Sequence, residues 1–107
     1  MKKSEQKEIN SLCELAFENA MNEMHYVSFD DAVQLRSCKA YVYETEDYYV
    51  LRSYRSIVAV INKGTDVCYD VLRMVYGYTA TSASHIAKFR HDYGSGKWGC
   101  KTVYTYR

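Results

Sequence analysis

The chain predicts an α+β domain: an N-terminal amphipathic helix and a second, short helix packed on one face of a four- to five-stranded, mainly antiparallel sheet. Three observations lead to this class. The first 26 residues repeat apolar side chains at intervals of three and four. Residues 38–73 then switch to the two-residue alternation of strands. A capped, glycine-terminated segment at 81–93 returns to helical spacing before a last β-type run at 98–106. At 107 residues, with no proline and no internal repeat, the chain is expected to form one domain spanning 1–107.

Ser4 is placed to cap the first helix, and Glu5 and Glu8 suit its positive N-terminal end. Ile9, Leu12, Cys13, Ala16, Ala20 and Met24 form its apolar stripe, widened by Leu15, Phe17 and Met21. Residues 25–37 leave two readings open, a short helical turn capped by Ser28 or a direct lead into a strand. From Lys39 onward tyrosine and valine alternate with polar residues, and Glu46-Asp47 reads as the turn between the first two strands. The run from Ile57 to Ile61 is apolar throughout, as in a strand covered on both faces or held mid-sheet. Asn62 to Thr65 closes a hairpin, with Gly64 expected to supply the positive φ.

The second helix is capped by Thr79, Thr81 or Ser82 and ended by Gly94. A helical wheel places Ala83, Ile86, Ala87, Phe89, Arg90 and Tyr93 on one arc, and Ser84, His85, Lys88, His91 and Asp92 on the other. Arg90, on the apolar arc, calls for a carboxylate such as Asp70 or Glu44, or for a path to solvent.

Charge is uneven along the chain. Residues 1–32 carry three lysines against seven acids, and the remainder carries eleven basic against six acidic residues. Segment 83–107 alone has five basic residues and one acid. Here His85, Lys88, His91, Lys97, Lys101 and Arg107, with Trp98 and the nearby tyrosines interleaved, are the candidate contacts for nucleic acid. Several cations on one face meet phosphates, and exposed rings stack on bases. The competing reading is a solvated helix and an edge strand whose lysines guard against aggregation. His85 has its own pair of readings: a base or phosphate donor near a helix N-terminus, or a ring that bonds Ser53 or Tyr54 and locks helix to sheet.

Tyrosine occurs 12 times, and Tyr41, Tyr43 and Tyr49 on two paired strands are the candidate protein interface. A homodimer through an open sheet edge is a further reading. No catalytic residue, metal ligand or cofactor is expected. The pairs Cys100 with His91 and His85 with Asp92 lack any motif that fixes their geometry, and the glycines after residue 93 do not have the spacing of a phosphate cradle. The four cysteines, 25 or more residues apart, lack a CxxC pair and read as free thiols in a reducing host cytosol. No apolar run is long enough to span a membrane.

Segments 51–61 and 76–89 together resemble a family of small proteins encoded by phages, plasmids and integrated elements of Firmicutes. The family pattern is a strand with Ser-Tyr-x-Thr-x-Val-Ala, a hairpin, then Tyr-x-x-Thr-Thr-Ser-x-His-Ile-x-x-Phe. Ser53, Tyr54, Val58, Ala59, Tyr78, Thr81, Ser82, His85, Ile86 and Phe89 match it. Ser56 stands where the pattern often has threonine, and Ala80 interrupts the Thr-Thr pair. The resemblance brings no established activity. It implies a mobile-element context, in which small proteins regulate genes or obstruct host defence. With the residues above, the chain reads as a small non-catalytic protein that contacts nucleic acid through its basic aromatic C-terminal helix and strand or, alternatively, inhibits a host defence nuclease in the anti-CRISPR manner through the tyrosine-rich sheet or the acidic first helix.

Overall fold

Local periodicity becomes structure largely where it is expected. A computed structural model of the chain describes residues 3–72, 80–94 and 102–105. Helix α1 spans Lys3–Met24 and α2 spans Ala80–Tyr93. The strands are β1 (Val33–Gln34), β2 (Ala40–Glu44), β3 (Tyr48–Ser53), β4 (Ser56–Asn62), β5 (Val67–Asp70) and β6 (Thr102–Thr105), hydrogen-bonded in that order in one sheet. Strands β1 to β5 form an antiparallel meander. β6 joins β5 in parallel, which requires a crossover, and α2 lies between the two in the chain.

Both readings of residues 25–37 appear in turn. Ser28 caps a 3-10 turn at Phe29–Asp31, its Oγ accepting from the Asp30 N–H at 3.3 Å, and the chain then enters the two-residue strand β1 at the sheet edge.

The helices do not share a face of the sheet. Ala16 and Ala20 of α1 pack with Tyr43, Tyr48, Val50 and Val60. Ile86 and Phe89 of α2 pack with Val42, Leu51, Ala59 and Ile61. Alternation along β3 and β4 sends neighbouring residues to opposite sides. Since Val58, Ala59, Val60 and Ile61 are all buried, both faces are apolar and each needs its own helix. The expected two-layer packing is therefore a three-layer one.

The α1 stripe is also narrower than its hydrophobic pattern. Cys13, Ala16 and Ala20 are buried and small enough to bring the helix backbone close to the sheet, whereas Leu12 and Leu15 lie outside the contact, 37% and 55% exposed. In the β4–β5 hairpin the left-handed residue is Asp66, with φ 58°, and Gly64 is not in that region. Asn62 Oδ1 fixes this turn by accepting from the N–H groups of Gly64 and Thr65 at 2.9 and 3.1 Å.

Candidate binding surface

The buried face of α2 runs through Ser82, His85, Ile86 and Phe89, with Tyr93 half-buried, while Ala87 on the expected apolar arc is exposed. The helical wheel puts His85 on the solvent arc, and the structure reverses this. The residue is 5% exposed, and its Nδ1 lies 2.8 Å from Ser53 Oγ, which lies 3.0 Å from Ser82 Oγ. A continuous hydrogen-bond chain therefore runs from Ser82 through Ser53 to the ring. Burial, and secondarily the Lys88 charge, hold the imidazole below its usual pKa, so it is neutral at pH 7. Tyr54 packs its ring against it at 5.8 Å. The sheet offers one buried hydroxyl here, and the helix rotates to meet it. His85 therefore locks helix to sheet and is withdrawn from a nucleic-acid-contacting surface.

The rest of the expected cationic face is partly neutralised. Lys88 is half-buried and donates from Nζ to Cys38 Sγ at 3.3 Å. His91 is exposed, but its Nδ1 lies 3.1 Å from Asp92 Oδ1. Arg36, in the β1–β2 connection with φ 53°, forks onto both Asp92 oxygens, with Nε to Oδ2 at 2.8 Å and Nη2 to Oδ1 at 2.7 Å. The hydrogen bonds from Arg36 hold the Asp92 carboxyl well down, at about 2. Asp92 thus engages Arg36 and His91 rather than His85, and the His85–Asp92 pair does not form. Lys97, Trp98, Lys101, Arg107 and Cys100 lie outside the described residues. Arg90 is half-buried, and among the described residues no ion pair joins it to Asp70 or Glu44.

The tyrosine interface is corrected as well. Tyr43 is wholly buried, and Arg52 covers the Tyr41 ring at 4.7 Å. Both lie on the α1 side of the sheet, while Tyr49 packs on the α2 side against Tyr93, with ring centroids 5.2 Å apart. Opposite faces cannot form one contact surface, so Tyr41, Tyr43 and Tyr49 are not a shared patch.

Tyr49 belongs instead to a groove of about 340 Å³ assembled from four parts of the chain. Tyr26 and Val27 follow α1, Asp31 and Val33 lead into and begin β1, Val42, Glu44 and Tyr49 come from β2 and β3, and Tyr93 ends α2. Tyr26 is 92% exposed and Val33 59%. Two large apolar side chains standing in water beside a concave aromatic wall are unusual in a folded chain unless something covers them. Glu44 holds Lys63 at 2.7 Å, and the Lys63 ammonium sits 5.3 Å over the Tyr49 ring. Sequence reading missed Tyr26, Asp31 and Val33, because each looks ordinary in its own segment.

A second, polar cleft of about 370 Å³ lies where α1 meets the β2–β3 and β4–β5 turns. Glu23 Oε1 there accepts from Thr45 Oγ1 at 2.6 Å and from the Asp47 N–H at 2.8 Å, tying the helix end to a turn. Burial opposes ionisation of Glu23, but these bonds outweigh it and lower its pKa; the adjacent Asp47 carboxyl is raised by its hydrogen bond and repulsion with Glu23. Among the described residues no group of three or more His, Cys, Asp or Glu comes together to hold a metal, and no helix is long and apolar enough to cross a membrane. Compared with protein-family models, with curated proteins and with solved structures, the chain gives no match.

Proposed function

We propose that this chain is a non-catalytic binding protein whose partner is another protein, docked at the groove between Tyr26, Val33, Tyr49 and Tyr93. The observation that carries the proposal is the exposure of Tyr26 and Val33 beside that concavity. Rigid aromatic side chains supply contact area at low entropic cost, which suits an interface centre. Catalysis has no support in the arrangement, since the one buried histidine is committed to Ser53, which is itself bonded to Ser82.

The resemblance adds a mobile-element setting in the host cytosol and makes a host defence nuclease, or a complex containing one, the first partner to try. Contact with nucleic acid through residues 84–107 is the competing reading, favoured by the scarcity of acids there. The described part of that surface weakens it, because Lys88 is half-buried against Cys38 and His85 is withdrawn.

The test compares the wild type with a Tyr26→Ser, Val33→Ser double variant as bait in nuclease-treated host lysate, alongside filter binding of mixed DNA and RNA. Capture of a defined protein that the double variant loses supports the proposal. Tight nucleic-acid binding that weakens steeply with salt, and is unchanged in the double variant, would overturn it.

A further inference from the structure

We infer that the groove is built to take a cationic side chain of the partner, an arginine guanidinium in particular; this rests on the docking reading above. Three tyrosines line it, and the Tyr49 and Tyr93 rings meet at 56°, so that two non-parallel rings line one concavity. Ring faces are electronegative, and a cation set against them is attracted.

The charges around the groove favour the same occupant. Asp31 and Glu44 both line it. Glu44 is balanced by Lys63, and Asp92, which bears on Tyr93, is balanced by Arg36. Asp31 makes no ion pair among the described residues, so one negative charge is left over beside the rings. A purely apolar insert would desolvate that carboxylate without replacing its water, whereas a cation satisfies it. The protein already contains one instance of this chemistry, the Lys63 ammonium over Tyr49 with Glu44 alongside.

Size and shape select the group further. A volume of about 340 Å³ is at the low end for ligand clefts, enough for one long side chain and its flanks. Guanidinium is planar, stacks on rings and forks onto a carboxylate, which an ammonium does not. The partner segment therefore presents an arginine between small or apolar residues.

The experiment titrates the full chain with the peptide acetyl-Gly-Val-Arg-Val-Gly-amide, following tyrosine ring resonances by NMR. The same peptide with citrulline, which keeps the shape and loses the charge, is the control. The expected result is saturable shifts at Tyr26, Tyr49 and Tyr93, with the citrulline peptide roughly tenfold weaker and Asp31→Asn lowering arginine-peptide affinity by a similar factor. Tyr26 and Asp31 are exposed, so variants there keep the fold. Equal affinity for the two peptides, or shifts that ignore Asp31→Asn, sinks the cation assignment. If protein capture still depends on Tyr26 and Val33 in that event, the docking surface survives without it; if capture is also indifferent to them, both readings fall.

Discussion

Ser53→Ala is the most discriminating single change in this fold, because one hydroxyl serves two buried partners. Ser53, Ser82 and His85 are 2%, 7% and 5% exposed, and the Ser53 oxygen lies within 3.0 Å of both other groups. Removing it takes one hydrogen bond from Ser82 Oγ and strands His85 Nδ1 away from water. The stranded ring nitrogen costs about 1–3 kcal/mol and the lost bond to Ser82 about 0.5–1.5 kcal/mol, so the expected loss is about 2–4 kcal/mol. Against the 5–15 kcal/mol (roughly) that holds a domain of this size together, this is a large fraction. Urea unfolding followed by far-UV circular dichroism measures it. A double variant, Ser53→Ala with His85→Leu, removes both partners and is expected to recover about 1–2 kcal/mol relative to additivity. A Ser53→Ala loss below about 0.5 kcal/mol, or strict additivity in the double variant, would refute the junction.

The same site has a pH signature. Because the folded-state pKa of His85 lies below its ordinary 6.5, the unfolded chain takes up the proton first as pH falls. Stability from this site is intact above 6.5 and declines below it until the folded ring also titrates. His85→Leu is expected to flatten that part of the stability profile.

Other consequences follow from the described contacts. Asp92 is held at about 2 against its ordinary 3.8, so its pairing with Arg36 is intact above 3.8 and lost as pH falls through 2; Arg36→Gln should remove the corresponding acid-side slope in chemical-denaturation measurements. Glu23→Ala frees the β2–β3 turn from α1 and should cost about 1–3 kcal/mol, with faster hydrogen exchange at the Asp47 and Tyr48 amides as the local readout. Phe89→Ala, at a wholly buried position, should cost about 3–5 kcal/mol by urea unfolding. Among the cysteines at 13, 38 and 68, only Cys38 is accessible. Burial, aided by Asp70 and Glu14, pushes the Cys13 thiol to about 12, so mass-mapped alkylation of the native protein should label Cys38 and spare the two buried thiols.

The elements themselves were legible from residue order because they depend on short-range periodicity. Tyrosine–valine alternation marked β2 and β3, the continuous run at 57–61 marked a doubly covered β4, and apolar residues at three and four marked α1. What periodicity does not encode is which layer meets which. A short helix such as α2 has several faces of similar hydrophobicity, and the choice among them fell to a single buried hydroxyl on β3, which drew His85 inward. The run at 57–61 implied two apolar faces, yet only the packed sheet shows that α1 and α2 divide them, separating Tyr43 from Tyr49.

Long-range pairing was equally out of reach. Arg36 finds Asp92 across 56 residues, and Glu23 finds Thr45 across 22. Such pairs depend on strand register and layer order, which are properties of the assembled sheet. The groove is the extreme case, since Tyr26, Val33, Tyr49 and Tyr93 come from four elements and none is distinctive where it stands. Residue order alone therefore determined the helix, the hairpins and the acid-poor end of this chain. Tertiary structure decided which polar groups are spent on holding it together and which aromatic rings stay exposed, because burial and register are set only when the layers close.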